Sequence, residues 1–502
     1  MPTIKDNLII YDERDWLFGL HQQAGLGYPT LTNGLDSASN ADPLRFLGYA
    51  SPGEDPTDVT NVSEIDGVLR NIVYSETASK GYGVGGTKLH EINSLTGAIT
   101  NTGGDFPHAV TGQTMSDVIK YNMGGAEYIF YSYYDGTDGD IGRFTSGSST
   151  FTDSYWQTTL SGTALSANTE IPMVVGDDDI LYFGQGNELW GIDGPNTTAL
   201  ETVLTLPDEY TIRSFAKWGN DTLVIFASTN SVSSLSEGKA TAFFWDYLSL
   251  DPYRVLELTG SNCGGAFSYR GTIGCFTSGI SADTIGVLTC HLNIYDGIKF
   301  KKVHSLNTSQ KYPIHGGVQV IGKAIFANAG GKVYSFGSPY DGIDAGINQI
   351  ASGDGSTSGA LTTLASNKML ISSGTTTSGG LNIFNGNYTT GSLQTVFAEP
   401  IFGMRQKGKV KRVRVEFAKS ASGGRSAAVS LLNREAVSSE IIAATTTITA
   451  GSEVIEREYD TSNAPLLEFS GLQAQITWGS GSAATDAPII RRIIVEFNTI
   501  NI

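Results

Sequence analysis

The sequence predicts an all-β protein: a seven-bladed β-propeller of four-stranded antiparallel blades, followed by a C-terminal β-sandwich of jelly-roll or immunoglobulin-like type. Three observations predict it. Short β-branched and aromatic runs alternate with Gly/Asn/Asp/Ser clusters along the whole chain, without long helix-forming runs. A strand-sized motif recurs at a step of about 49 residues. The last hundred residues leave that step and begin and end on two similar strands.

Composition supports the class. Of 502 residues 61 are Gly and 15 are Pro, and only 16% are charged, against about a quarter in ordinary domains. Ser, Thr and Asn fill the difference. The net charge of −18 excludes nucleic-acid binding through a global field, because phosphate contacts need Lys and Arg. The charge is uneven: residues 400–502 carry 12 basic and 10 acidic side chains, and residues 1–399 carry 20 and 40. Acidic and basic faces of neighbouring subunits can therefore attract.

Residues 1–64 fall outside the repeat. The apolar start NLIIYDERDWLFGL gives way to a Gly/Asn/Asp/Ser/Pro-rich passage and then to PLRFLGYASPG (43–53). This part reads as an arm, or an added strand, that packs on the ring or on a neighbour. No basic n-region and no long apolar run opens the chain, so no signal peptide is expected. No stretch of about 18 apolar residues is present to span a membrane.

Residues 65–399 hold the repeat. Its copies are KLHEIN (88–93), DIGRFT (140–145), ELWGID (188–193), AFFWDY (242–247), HLNIYDG (291–297), KVYSFG (332–337) and LNIFNG (381–386). Before each lie two further strand-type runs linked by hairpin dipeptides such as Gly-Asn, Gly-Asp and Arg-Gly. Behind each lies a fourth, among them LETVLTLP (200–207), YRVLELTG (253–260), KFKKVHSL (299–306) and LQTVFAEP (393–400). A lone four-stranded blade leaves both faces exposed, and closing a ring of blades buries them all. Two separate sandwiches are the competing architecture, and seven units in phase weigh against it. Glycine pairs at 85–86, 330–331 and 379–380 echo kelch repeats in three of the seven units.

Residues 400–502 read as the sandwich. VKRVRVEF (410–417) places Val413, Val415 and Phe417 on one face and Arg412, Arg414 and Glu416 on the other. RRIIVEF (491–497) repeats the pattern.

Chemistry is sparsely marked. The six histidines are scattered, and no metalloprotease helix motif, nucleophile elbow, phosphate loop or Cys-His constellation occurs. Cys263, Cys275 and Cys290 match no zinc spacing and read as buried free thiols. A glycosidase carboxylate pair is defined by separation in space and leaves no sequence signature. Two local features stand out. Asp135, Asp138 and Asp140 cluster with glycines in DGTDGDIG (135–142), where they would either wrap Ca²⁺ or form a hairpin turn. The distal Glu of an EF-hand loop is missing, which favours the turn. Asp177-Asp178-Asp179 is a weaker candidate of the same kind. Arg405, Lys407, Lys409, Lys411, Arg412 and Arg414 form a basic run that would either dock on an acidic neighbour or serve as a solvated strand face. No aromatic side chains interleave with it for base stacking.

DWLFGLHQQAGLG (15–27) with PLRFLGYASPG, the Gly/Ser/Thr-rich blades and the KRVRVEF…RRIIVEF pair together resemble structural proteins of tailed bacteriophages. That group includes tail or nozzle proteins with a β-propeller and an added β-sandwich. The resemblance implies a non-enzymatic virion (tail) component, assembled in the host cytoplasm into a homo-oligomeric ring or channel with other virion proteins. It implies no cofactor, with Ca²⁺ the one metal the residues suggest. The acidic balance of residues 1–399 would suit a channel wall that repels DNA. The competing class is a propeller that binds or cleaves glycans on a host surface, and a third is a cellular scaffold that binds peptides. The first copy of the repeat, KLHEIN (88–93), carries no chemistry of its own, because His90 and Glu91 are consecutive strand residues on opposite faces.

Overall fold

The computed structural model describes residues 3–5, 8–13, 35–39, 53–100, 105–148, 150–166, 170–194, 196–229, 238–280, 288–306, 312–322, 324–340, 343–353, 355–374, 379–388, 391–395, 406–419, 427–433, 441–448, 454–458, 468–469, 472–479 and 489–501. The chain divides into two compact units. One comprises Pro56–Val333 and Gly353–Phe384, the other Met1–Asp55, Tyr334–Ser352 and Asn385–Ile502.

Seven four-stranded antiparallel sheets form the propeller. From the inner strand outward, blade 1 is Leu69–Ser75, Lys80–Gly85, Lys88–Asn93 and Ile99–Thr100. Blade 2 is Thr114–Met123, Ala126–Tyr134, Asp138–Thr145 and Phe151–Thr152. Blade 3 is Met173–Val175, Ile180–Gln185, Glu188–Asp193 and Thr198–Thr205. Blade 4 is Thr211–Trp218, Thr222–Ser228, Ala240–Trp245 and Arg254–Glu257. Blade 5 is Asn262–Tyr269, Thr272–Ile280, Leu288–Tyr295 and Phe300–Leu306. Blade 6 is Val318–Ile321, Ala324–Ala329, Lys332–Tyr340 and Ile343–Ser352, and blade 7 begins with Leu361–Thr363, Met369–Gly374 and Gly379–Tyr388. Every copy of the motif lies on a third strand.

The fourth strand of blade 7 is a correction to the sequence reading. It is Glu54–Asp58, from the segment read as an arm or an added strand packing on the ring. Val59 N–H donates to the Leu381 carbonyl at 3.0 Å, and Asn382 Nδ2 donates to Asp58 Oδ1 at 3.0 Å. LQTVFAEP, expected in that place, does not supply the strand. Gly391–Thr395 pairs instead with Leu35–Ser39 and Leu472–Trp478, and 396–400 lie outside the described residues. The closure is thus made by strands from opposite ends of the repeat.

Blade faces explain the apolar runs. All of Thr222–Ser228 and Ala240–Trp245 is buried, because a central strand of a stacked blade has neighbours on both sides. Phe130, Ile141, Phe183 and Trp190 share the cluster between blades 2 and 3. Tyr182, Leu189, Ile225 and Trp245 share that between blades 3 and 4, and Phe226, Phe244, Cys275 and Tyr295 that between blades 4 and 5. Each such side chain contributes about 1.5–3 kcal/mol by leaving water. In blade 1, Leu89 packs toward blade 2 and Ile92 toward blade 7. His90 and Glu91, between them, therefore face opposite ways.

The glycine pairs have a local cause. Blades 6, 7 and 1, which carry them, are consecutive around the ring. In blade 6 the chain leading into the next blade crosses so closely that a Cβ on Gly331 would lie 1.9 Å from the Gly355 carbonyl oxygen. Gly331 also has φ +75°, so no other residue fits without strain.

Besides Tyr334–Ser352 of blade 6, the second unit holds two sheets. One runs Thr3–Lys5, Leu8–Glu13, Ile489–Asn501, Gln406–Lys419, Val454–Glu458, with Glu468–Phe469 paired to Gln406–Lys419. The other runs Leu35–Ser39, Gly391–Thr395, Leu472–Trp478, Ala427–Asn433, Ile441–Ile448. The two echoing segments are sheet neighbours, with Val413 opposite Val495 and Val415 opposite Ile493. Val413, Val415, Phe417, Ile493, Val495 and Phe497 are buried, and Arg412, Arg414 and Glu416 on the alternate face are half-buried. DWLFGLHQQAGLG and nearly all of PLRFLGYASPG lie outside the described residues.

Candidate functional site

Four inner strands share one irregularity at their start. The register with the second strand shifts between Leu69 and Asn71, Met115 and Asp117, Ile212 and Ser214, and Cys263 and Ala266. A bulge at that point re-aims side chains that regular pleating would send between blades. It brings Arg70, Ser116, Asp117, Arg213 and Ser214 into one neighbourhood, joined by Glu170 just ahead of the inner strand of blade 3. Blade 5 has only Gly264 and Gly265 in its bulge, which leaves space there.

That space is filled by the chain itself. Tyr312–Gly317, leading into the inner strand of blade 6, touches every other blade. Gly265 N–H donates to the Pro313 carbonyl at 2.6 Å, and a Cβ on Gly264 would lie 2.1 Å from the same oxygen. Gly317 approaches the Gly359 carbonyl ahead of blade 7, and a Cβ on Gly316 would lie 2.3 Å from the Arg70 carbonyl oxygen of blade 1. The centre of the propeller is therefore plugged.

His315 is the head of the plug. Its Nδ1 lies 2.8 Å from Ser214 Oγ and its Nε2 3.1 Å from the Met173 carbonyl. The Ser214 oxygen also accepts from Ala266 N–H at 3.2 Å. Nε2–H donates to the Met173 carbonyl, and Nδ1 and the Ser214 hydroxyl are bonded to each other, so both ring nitrogens are partnered. Asp117 Oδ2 lies 3.5 Å from Nε2 and accepts from Met173 N–H at 2.6 Å, while Oδ1 accepts from Asn71 Nδ2 at 2.7 Å and Val118 N–H at 2.8 Å. Burial pushes the Asp117 carboxyl up, against the pull of His315 and these donors. Burial would raise Glu170 too, but Arg70, Arg213 and His315 outweigh it and hold Glu170 below its ordinary value. Arg70 forms an ion pair with Glu170.

Asp117, His315 and Ser214 have the composition of a nucleophilic triad but not its arrangement. The carboxylate faces Nε2 and the hydroxyl faces Nδ1, the reverse of the chymotrypsin-type order. Ser214 is fully buried and already holds a backbone donor. The recess beside Arg70, Glu170, Pro172 and His315 has room for about one water molecule. The arrangement fastens blades 2, 3, 4 and 6 together and offers no place to an acyl group.

Sequence reasoning missed this network. Arg70, Asp117, Glu170 and Arg213 are spaced 47, 53 and 43 residues apart, the step of the repeat itself, and His315 follows 102 residues on, two such steps. Polar residues in phase with an apolar repeat were the available signal.

The sequence candidates lie elsewhere. Asp135 Oδ1 accepts from Thr137 N–H at 2.7 Å and Asp138 N–H at 2.8 Å, an Asx turn between the second and third strands of blade 2. Those donors hold its carboxyl below the ordinary range. Asp138 is exposed, whereas Asp140 is buried and accepts from Ile141 N–H at 2.7 Å and from the Ser154 hydroxyl. Among the described residues no three metal-ligating side chains converge. Asp177 pairs with Lys217 at 2.7 Å and Asp178 accepts from Tyr182 at 2.6 Å. In the basic run, Arg412 pairs with Glu456 at 2.9 Å and Glu496 at 3.4 Å, and Arg414 with Glu416 at 3.0 Å. Lys407 and Lys409 are half-buried, Lys411 is exposed, and Arg405 lies outside the described residues.

No family model matches the chain, and no curated protein is significantly similar to it. Solved structures with a likeness include the Dos1 propeller (12% identity, TM-score 0.41, covering 66% of this chain and 96% of that one). The hydrazine synthase of Kuenenia stuttgartiensis shows 12% identity and a TM-score of 0.47 over 65% of this chain and 97% of that one. The exo-β-1,3-galactanase of Phanerochaete chrysosporium shows 12% identity and a TM-score of 0.33 over 86% and 96%. These neighbours have different functions, and none of the three reaches a TM-score of 0.5. The strand pairing itself establishes what this chain is: an all-β protein with a seven-bladed propeller.

Proposed function

We propose that this chain is a non-enzymatic structural protein of a tailed-bacteriophage virion, of tail or nozzle type, that works through protein–protein contacts at its outer surfaces. One observation carries the non-enzymatic part. The centre of the ring, where a propeller can receive a ligand, is filled by Tyr312–Gly317 and sealed by His315 bonds to blades 3 and 4. The virion part is supported by the sequence resemblance. The two sheets of the second unit each bury one apolar face, which supports packing as a sandwich. With a filled centre, a DNA-repelling acidic wall belongs to several copies around a common axis, not to a bore through one propeller.

Mass spectrometry of purified virions tests the reading. The chain is expected in fixed stoichiometry to the other tail proteins, and a knockout is expected to yield particles with defective tails. Complete, infective particles lacking the chain would overturn it.

A further inference from the structure

The four most exposed large aliphatic side chains of the described residues occupy equivalent places. Leu248 (89% exposed), Leu250 (85%), Ile298 (73%) and Leu95 (60%) all lie in the connection from the third to the fourth strand of a blade. Each connection opens with the same device. Asn93 Oδ1 accepts from Leu95 and Thr96 N–H, Asp246 Oδ1 from Leu248 and Ser249 N–H, and Asp296 Oδ1 from Ile298 and Lys299 N–H, all at 2.7–3.1 Å. The Asx turn spends its polar groups on its own backbone and holds the aliphatic tip outward. Isolated exposed leucines are ordinary; a repeated presentation in adjacent blades is not.

The outer strand of blade 4 is fastened to the turn of blade 5. Arg254, on the outer strand of blade 4, donates through Nη1 to Tyr295 Oη at 2.5 Å and through Nη2 to the Ile298 carbonyl in the turn of blade 5. Trp245 Nε1 donates to the Ser249 carbonyl at 2.6 Å, which fixes the Leu248–Leu250 loop. Half-exposed Tyr253 and Val255 extend the apolar area along the same outer strand.

The charges flanking this area differ by blade. On blade 4 stand Asp246 and Asp251; on blade 5 stand exposed Lys299 and Lys302, with no ion pair among the described residues. Asp296 of blade 5 is already taken by Lys301 at 2.7 Å. The Ser249 and Leu248 donors hold Asp246 below the ordinary carboxylate range, so it stays charged. An apolar centre with an acidic side and a basic side is complementary to itself under a two-fold rotation.

We propose that the outer surface of blades 4 and 5, centred on Leu248, Leu250 and Ile298, pairs with the same surface of a second copy of this chain about a two-fold axis. The acidic side of one copy then meets the basic side of the other. This deepens the reading of a protein that acts by assembly and names the surface, while resting on nothing specific to a virion.

Sedimentation velocity of the full-length chain tests it. A dimer is expected at micromolar concentrations, weakened by salt. Leu248→Asp with Ile298→Asp is expected to raise the dissociation constant about 100-fold or more. Asp251→Lys alone and Lys299→Asp alone are each expected to weaken pairing about tenfold, and the two together to restore it, an outcome that misfolding cannot produce. A wild-type chain that stays monomeric, or reversals with no effect singly or no recovery together, would overturn the proposal. Such a failure leaves the virion stoichiometry test intact, and a chain missing from virions leaves the dimer result intact.

Discussion

His315 Nδ1 stands 2.8 Å from Ser214 Oγ, joining the segment that leads into blade 6 to the bulge of blade 4. With the Nε2 contact to the Met173 carbonyl, this places one imidazole in the hydrogen-bonding of three blades. Replacing His315 with Ala leaves the buried Ser214 hydroxyl and Met173 carbonyl without this partner. The expected cost is about 1–3 kcal/mol, read from chemical unfolding of the full chain. A fluorophosphonate is expected to leave Ser214 unmodified in the folded protein.

Gly316 admits no side chain. A Cβ there would meet the Arg70 carbonyl oxygen at 2.3 Å, and backbone on both sides has to move. Gly316→Ala is expected to cost more than Gly322→Ala, where nothing lies within 4 Å, although Gly322 has the less favourable φ of +59°. Comparing the two unfolding midpoints separates crowding at the plug from backbone preference.

Ring closure depends on a ladder of hydrogen bonds beside Leu381. Val59→Pro removes the N–H that donates to the Leu381 carbonyl. A loss of about 1–3 kcal/mol is expected, the cost of leaving the buried Leu381 carbonyl without this donor. Unchanged stability would mean that Glu54–Asp58 and its flank do not close blade 7.

Two buried histidines set a pH dependence. Burial lowers both His90 and His291 to about 4 from the ordinary 6.5. His90 is fully buried, and neither ring nitrogen has a hydrogen-bond partner among the described residues. The folded state thus binds fewer protons than the unfolded state between these values. Stability is full above about pH 6.5 and falls as pH drops toward 4, at up to about 1.4 kcal/mol per unit for each histidine. His90→Leu is expected to reduce the slope of unfolding free energy against pH in that window.

The three thiols are buried and separate from any disulfide. Burial pushes Cys275 and Cys290 well up, so the thiolate is scarce. Ellman's reagent is expected to find no reactive thiol in the native protein and three after denaturation.

Much of the propeller was legible because its third strands repeat in the chain. Leu89, Ile141, Leu189, Phe243, Leu292, Val333 and Leu381 recur in phase, and each lies on a third strand. The closing strand was not legible, since EDPTD carries Pro56 and three carboxylates, all poor strand formers. Its place comes from the unpaired edge of Gly379–Tyr388, a tertiary cause that local propensity does not contain. LQTVFAEP misled for the complementary reason: it has strand composition and stands where a fourth strand belongs, but its first part pairs in the other unit. The pairing of KRVRVEF with RRIIVEF was foreshadowed by alternation, and the alternate burial of Val413, Arg414 and Val415 follows it. The central network was hidden because its members stand about fifty residues apart and each, alone, resembles an ordinary polar residue at a strand start. The bulges that turn them inward depend on pairing with the second strand, which composition does not reveal.

The propeller is closed by Glu54–Asp58 and plugged at its centre by Tyr312–Gly317. An experimental density map of this chain tests both features. Continuous density is expected for Tyr312–Gly317 across the axis, with His315 within hydrogen-bonding distance of Ser214 and the Met173 carbonyl. An open bore, with that segment folded outward and Ser214 facing solvent, would contradict it.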